Sequence, residues 1–194
     1  MRKLNSSLPE DSITVFLICQ MTSSPQNLIA LMRHAEAVAA AKTVKDFDRP
    51  LSEKGLLEAK EIGEILIHQN FRPSTVLCSP ALRTRQTLGV LHLDSNIKPE
   101  FVKLLYHGSG KDYVSVIISA LPKSLPLLII GHNPSISTAI NKLCNSTEIE
   151  LPRPLILGTA NLALLEFSSI PVYQSTGFHD QLSGRGHLVN ILKS

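Results

Sequence analysis

Tryptophan is absent and aromatic residues make up 5% of the 194 positions, while 19 Lys and Arg against 16 Asp and Glu leave a net charge of only +3. Such a composition carries no broad nucleic-acid footprint, so no nucleic-acid partner is expected and any recognition of phosphate has to be local. Cysteine is scarce too. Cys19, Cys78 and Cys144 form an odd, widely spaced set without a CxxC pair. That excludes a readable disulfide framework or zinc knuckle and points to a reducing cytoplasm. No run near the start approaches the roughly 20 apolar residues that cross a bilayer. The longest there, residues 13–19, is also a poor signal peptide, because residues 5–12 are polar and no Ala-x-Ala site follows. No membrane partner is expected. Residues 1–26 are read as an N-terminal extension: a disordered segment, an added strand, or the product of an upstream start codon with Met21 as the true beginning.

What is present is a chain 43% hydrophobic and 18% charged, the balance of one ordinary globular domain, placed at residues 27–194. Residues 28–32, Leu-Ile-Ala-Leu-Met, read as a buried strand that stops abruptly at Arg33-His34. The alanine-rich residues 35–44 read as potentially helical, and Asp46-Phe47-Asp48-Arg49-Pro50 carries turn chemistry. Ser52 is placed to cap a helix reaching about Gln69, with Leu56, Ala59, Ile62, Gly63 and Leu66 on its dry side.

A second buried strand is expected at residues 75–78, with Ser79-Pro80 supplying a cap and a first-turn proline for the next helix. Helices follow at about 111–121 and 135–144, on either side of a strand at 127–130 that ends in Gly131-His132-Asn133-Pro134. A final strand is read at 162–167, a loop at Pro152-Arg153-Pro154, and an irregular tail at 175–186. Strands alternating with helices imply an α/β fold: a three-layer sandwich with a largely parallel central sheet and helices on both faces. Such sheets bind ligands at the carboxyl ends of their strands.

Three polar clusters stand at three such ends: Arg33-His34, Ser79 with Arg83, and Gly131-His132-Asn133. Arginine offers a planar fork that matches phosphoryl oxygens, and helix N-termini near Pro80 and Pro134 can add backbone N–H groups. His34 is the candidate nucleophile, because neutral imidazole can accept a phosphoryl group. His132 can stabilise charge as phosphorus becomes five-coordinate. Each residue also has a plainer reading: a strand-ending histidine bonded to backbone, a loop histidine capping a helix, an exposed helix arginine.

Taken in order, Arg33-His34-Ala35-Glu36-Ala37, Asp48-Arg49-Pro50-Leu51-Ser52-Glu53-Lys54-Gly55, Ser79-Pro80-Ala81-Leu82-Arg83-Thr84-Arg85-Gln86-Thr87 and Gly131-His132-Asn133-Pro134 resemble the histidine phosphatase superfamily. Their nearest likeness is to its SixA-type phosphohistidine phosphatases, with a phosphoglycerate mutase-like fold. The resemblance implies that His34 is the phosphoacceptor, that Arg33 and Arg83 bind the phosphoryl oxygens, and that His132 is the second catalytic histidine. It also implies hydrolysis by water with no metal or other cofactor.

Two departures stand out: Ala35 replaces the family's usual Gly, and no acid precedes the helix near Lys111. Glu36 is taken as the tentative proton donor, since two residues beyond His34 it can face the same pocket. A weak or missing acid penalises alkoxide leaving groups more than imidazole. The interval between His34 and His132 also leaves little room for a large inserted cap. Both features favour a histidine-phosphorylated phosphotransfer protein as substrate. The alternatives are a broad small-molecule phosphomonoesterase and, in another class, a non-catalytic phosphate- or phosphoprotein-binding module. His68, His92 and His107 lack ligand spacing and read as surface residues. His179-Asp180 and His187 in the tail are not expected to bind metal, and Cys78 and Cys144 read as small core residues.

Overall fold

A computed structural model of the chain describes residues 27–121, 124–147, 154–169 and 182–194. The expectations for residues 1–26, for Pro152-Arg153 and for His179-Asp180 lie outside the described residues. Seven strands form one sheet: β1 (Leu28–Arg33), β2 (Thr75–Cys78), β3 (Glu100–Phe101), β4 (Leu127–Gly131), β5 (Cys144–Thr147), β6 (Leu162–Phe167) and β7 (Gly186–Leu192). Their order across the sheet is β3-β2-β4-β1-β6-β7-β5. β6 alone runs against the others, antiparallel to both β1 and β7. The helices are α1 (Glu53–His68), α2 (Leu82–Val90), the short α3 (Leu104–His107), α4 (Gly110–Ala120) and α5 (Ser135–Leu143).

The unbroken apolar run of β1 is explained by burial on both sides. Ile29 and Leu31 join the core under α4 and α5, with Ile117, Ile136 and Ile140. Leu28, Ala30 and Met32 point the other way, to Ala59, Ile62 and Leu66 of α1. β4 repeats the alternation, Leu127 and Ile129 facing one layer and Leu128 and Ile130 the other. Each fully buried Ile or Leu contributes about 1.5–3 kcal/mol, so the sheet is pinned from both faces and its strand ends are fixed in space. The three-layer, largely parallel architecture expected from the residues is the one observed.

Helix boundaries follow local chemistry. The Ser52 hydroxyl accepts from Gly55 N at 3.0 Å to start α1. Ser109 and Asp112 form a reciprocal capping box on α4. The structure departs from expectation at several places. Residues 35–44 are not helical: Ala37 bridges Leu51, and Val38 N donates to the Pro50 carbonyl at 3.0 Å. That segment is exposed from Val38 onward, and a short alanine run with no dry face to bury cannot offset helix nucleation. Ser79 does not cap α2, whose N-cap Ala81 has no side-chain bond. The strand at Leu162–Phe167 is not the last, because β7 follows it; β3, β5 and α3 are further elements the patterning did not announce.

Gly55 sits where α1 meets the chain leaving the site, and a Cβ there would run into the Glu36 carbonyl oxygen. Gly55→Ala is expected to destabilise the fold by about 1–3 kcal/mol, as overpacking against backbone does. Gly89, in α2 with nothing within 4 Å of an added Cβ, is the control, and Gly89→Ala is expected to gain up to about 1 kcal/mol. Urea unfolding of the two variants against the parent chain checks both signs.

Candidate active site

Because β1, β2 and β4 are parallel neighbours, the residues that leave their carboxyl ends arrive at one edge of the sheet. His34 N donates to the Gly131 carbonyl at 3.0 Å, and Ser79 N to the Ile130 carbonyl at 3.0 Å. β6 runs the other way, so the loop that precedes it reaches the same edge. There Arg33 N donates to Asn161 O at 3.1 Å and Ala160 N to His34 O at 3.2 Å.

The His34 ring is oriented by its own neighbour. Nδ1 lies 2.7 Å from the Ala35 carbonyl oxygen, and since a carbonyl only accepts, the proton is on Nδ1 and the lone pair is on Nε2. Arg83 Nε donates to that Nε2 at 3.3 Å. Burial lowers the His34 pKa to about 4, the charges of Arg83, Arg33 and Arg49 pushing the same way and the Ala35 bond opposing them. The imidazole is therefore neutral at pH 7.

His132 stands beside it, with ring centroids 5.0 Å apart and planes at 60°. Its Nε2 is 2.7 Å from Ser79 Oγ, while its Nδ1 is buried without a partner. Its main-chain N–H donates to the Tyr113 hydroxyl at 3.0 Å. That contact needs Gly131, because a Cβ there would collide with the same hydroxyl. Burial, then the neighbouring His34 and Arg83, lowers the His132 pKa to about 3.

The two guanidinium groups complete the cluster. Arg33 Nη1 donates to the Leu157 carbonyl at 2.9 Å, and its Nε is buried without a partner. Asn133 Nδ2 donates to the same carbonyl at 2.7 Å, tying the β4 end to the loop before β6. Arg83, with its side chain 8% exposed, is held by Asp46: Nη1 donates to the main-chain oxygen at 2.6 Å and Nη2 to Oδ2 at 3.1 Å. Arg33, His34, Arg83 and His132, far apart along the chain, thus share one electrostatic neighbourhood. Two of their buried nitrogens are unsatisfied by protein. Buried polar atoms of that kind are rare and costly, and an oxyanion between the guanidinium and imidazole groups would satisfy both.

Glu36, expected as the proton donor, is placed elsewhere. Its carboxylate accepts from Ser52 Oγ at 2.8 Å and Lys54 Nζ at 3.1 Å, at the start of α1. Those two bonds hold it below the usual carboxylate range, the wrong direction for an acid. Ala35 is fully buried in the α1 layer. Its N–H donates to Thr87 Oγ1 at 3.1 Å. What the position supplies to the site is its carbonyl, which Ala delivers as well as Gly. Burial pushes the Cys78 thiol up to about 12, so it is inert. His68, His92, His107 and His187 are exposed, and among the described residues no group of three or more His, Cys, Asp or Glu is placed to hold a metal ion. Sequence reasoning missed Asp46 and Tyr106. The Tyr106 ring meets His132 edge-on at 5.6 Å and its hydroxyl donates to Asp46 Oδ2 at 3.1 Å. The turn signal at residues 46–50 was the one hint of Asp46, and it said nothing of Arg83.

Comparison with known proteins gives a consistent picture. Residues 29–106 match the histidine phosphatase superfamily (branch 1). An uncharacterised chloroplastic protein of Arabidopsis thaliana is 28% identical over 172 residues, which cover 83% of this chain and 75% of that one. An Agrobacterium tumefaciens structure assigned as the phosphohistidine phosphatase SixA is 25% identical, with 88% of this chain and 100% of that one covered and a TM-score of 0.69. The α-ribazole phosphatase of Shigella flexneri shares the fold at 16% identity, with 86% and 96% covered and a TM-score of 0.60. A matched stretch that opens inside β1 and runs through Tyr106, joined to the SixA likeness over nearly the whole chain, supports the histidine phosphatase superfamily, and its SixA-type branch, as the family of this chain.

Proposed function

We propose that the protein hydrolyses the phosphohistidine of a phosphotransfer protein through a covalent intermediate on His34. The observation that carries this reading is a neutral His34, its lone pair held on Nε2 by the Ala35 carbonyl, beside two buried nitrogens without partners. In the first step Arg83 Nε–H turns from Nε2 to an incoming phosphoryl oxygen, and the freed Nε2 lone pair forms a bond to phosphorus while the bond to the leaving group breaks on the opposite side. Arg33 Nε, Arg83 and His132 Nδ1–H take the three equatorial oxygens as negative charge spreads over them. Ser79 Oγ, with Ala81 N donating to it at 3.5 Å, is free to give its own hydrogen to His132 Nε2, leaving the His132 proton on Nδ1. Water then attacks the phosphorus of phospho-His34, and the returning lone pair on Nε2 restores the enzyme. Charge is supplied by the guanidinium groups, so this reaction calls for no metal.

The choice of leaving group rests on the carboxylates. Glu36 is bound to Ser52 and Lys54. Burial raises the Asp46 carboxyl, but bonds from Arg49, Arg83 and Tyr106 outweigh that and keep it below its ordinary value. Neither holds a proton at pH 7. An alkoxide needs one as it departs, whereas a phosphorylated imidazole protonated on its other nitrogen leaves as the neutral ring. The likeness to an α-ribazole phosphatase motivates the second reading, a small-molecule phosphomonoesterase. The scarcity of cysteine and the lack of a CxxC pair accord with a reducing compartment such as the cytoplasm, and among the described residues no helix is long and apolar enough to cross a membrane.

Incubation with a radiolabelled phosphohistidine peptide is expected to leave acid-labile, base-stable label on the parent chain and none on His34→Ala. Binding without label or phosphate release points instead to the non-catalytic module, and faster release from sugar phosphates to the phosphomonoesterase. Arg83→Ala is expected to lower turnover at least about a hundredfold, the loss of one transition-state charge contact.

The pH behaviour has a definite sign. Both imidazoles have folded values, about 4 for His34 and about 3 for His132, below the unfolded value. The unfolded chain therefore binds more protons in the window from about 6.5 downward. Stability is complete above that window and falls as the pH drops through it towards 4. NMR titration of the ring nitrogens is expected to find both histidines neutral at pH 6. A His34 midpoint near 6.5 contradicts this.

A further inference from the structure

The guanidinium of Arg83 is shared between two partners in a way the phosphatase reading does not itself require. Its Nη1–Nη2 end is taken by one residue, Asp46, which accepts with its main-chain oxygen at 2.6 Å and its carboxylate at 3.1 Å. Its Nε edge faces His34 Nε2 at 3.3 Å. A guanidinium has five N–H donors in a rigid plane, so two bonds at its outer end fix where the inner edge points. The remaining hydrogen on Nη2 lies alongside Nε–H on that inner edge, and together they form a fork on the side of the guanidinium that faces His34.

Asp46 is itself immobilised from several sides. Arg49 Nη1 donates to Oδ1 at 2.8 Å, and Tyr106 Oη donates to Oδ2 at 3.1 Å. Arg49 is anchored in turn on the Val38 carbonyl, through Nε at 3.1 Å and Nη2 at 2.9 Å. The Tyr106 ring packs edge-on against Phe47 at 5.1 Å and against His132 at 5.6 Å. Thus a turn of three residues, Asp46–Asp48, is held against the outer end of Arg83 and beside Tyr106, and Asp46 grips the arginine from its exposed side.

From this geometry we infer that Asp46 is a positioning residue, which clamps the outer end of Arg83 so that its Nε–Nη2 edge meets the phosphoryl group in line with His34. The inference rests on the phosphatase reading and deepens it. The opposite role is physically available: a carboxylate on Arg83 could simply compete with substrate for the guanidinium. The two roles predict opposite signs. A clamp acts on the transition state, because misplacing a charge by about 1 Å can cost up to a hundredfold in rate. A competitor acts on ground-state binding, and its removal strengthens binding of a dianion.

Asp46 has a side chain 54% exposed on a surface turn, so its truncation leaves both cores intact. The test compares Asp46→Ala and Asp46→Asn with the parent chain on a phosphohistidine peptide. It also measures the affinity of each for orthovanadate, which adopts the five-coordinate geometry, by calorimetry. Asp46→Ala is expected to lower kcat about tenfold with KM unchanged or lower, and to weaken vanadate about tenfold. Asp46→Asn keeps the main-chain oxygen and one side-chain oxygen as acceptors, and is expected to remain within about threefold of the parent in both measurements. In an Arg83→Ala background, Asp46→Ala is expected to have no further effect.

Tighter vanadate binding or unchanged kcat in Asp46→Ala overturns the inference in favour of competition. So does an Asp46→Asn variant as impaired as Asp46→Ala, or a loss that persists without Arg83. A parent chain that binds vanadate in this Asp46-dependent manner but turns over no phosphohistidine overturns the phosphatase reading and leaves the clamp standing. A parent chain that turns over and is indifferent to Asp46 overturns the clamp alone.

Discussion

The bond from His34 Nδ1 to the Ala35 carbonyl, 2.7 Å long, is the constraint on which the site depends. An imidazole can serve as a nucleophile only with a lone pair on the exposed nitrogen, and in water the two tautomers interchange freely. Here the acceptor is the main chain of the next residue. Its position is set by β1, by the bond from Ala35 N to Thr87 and by the bond from Glu36 N to Glu58. The sheet thereby determines a protonation state. It also explains how Ala can stand where the superfamily usually has Gly: Ala35 is not among the residues with positive φ, and its methyl group lies in a core that has room for it.

Holding two arginines near two buried imidazoles is unfavourable unless something offsets it. The imidazoles stay neutral, because burial, more than the nearby charges, lowers both pKa values. The arginines cannot lose their protons so readily and are instead partly paired. Arg83 has the Asp46 carboxylate, Arg33 the Leu157 carbonyl and, at longer range, the charge of Glu58. The residual deficit, a guanidinium N–H and an imidazole nitrogen with no partner, is what a tetrahedral oxyanion would relieve. Donors whose positions are fixed by the fold in this way would need little reorganisation to meet such an anion.

The layers and the site core were legible in the residues because both rest on local signals. Apolar runs of strand length with capped helices between them dictate a sheet covered on both faces, and a sheet of parallel neighbours brings its carboxyl ends together. Arg33, His34, Arg83 and His132 stand at or just beyond those ends, so topology alone unites them. What was not legible depends on contacts between segments with no pattern of their own. β7 is defined by pairing with β6 and β5 rather than by a clear alternation, since within it Val189, Asn190 and Ile191 are all half-buried. Residues 35–44 have the composition of a helix but no surface to bury. Glu36 was misjudged because two residues of spacing say nothing of the side chain's direction, and Ser52 and Lys54 draw it to α1. Asp46 was overlooked because its partners, Arg83 and Tyr106, are 37 and 60 positions away.

Separating the roles of the charged and the neutral groups has a consequence for chemistry. The guanidinium groups carry permanent charge and no transferable proton. The imidazoles are uncharged and can give directional bonds, but a neutral His132 has only one proton, which the proposed bond to phosphate would use. The neighbouring carboxylates are ionised and occupied. In the proposed reaction each of these groups is matched to an equatorial phosphoryl oxygen or to the nucleophile, and none of them to the atom that departs. A pocket so built places the burden of leaving on the substrate. Chemistry of that kind suits a phosphoramidate, whose imidazole departs as a stable neutral ring, better than an ester of an unactivated alcohol, for which the missing proton remains in the barrier.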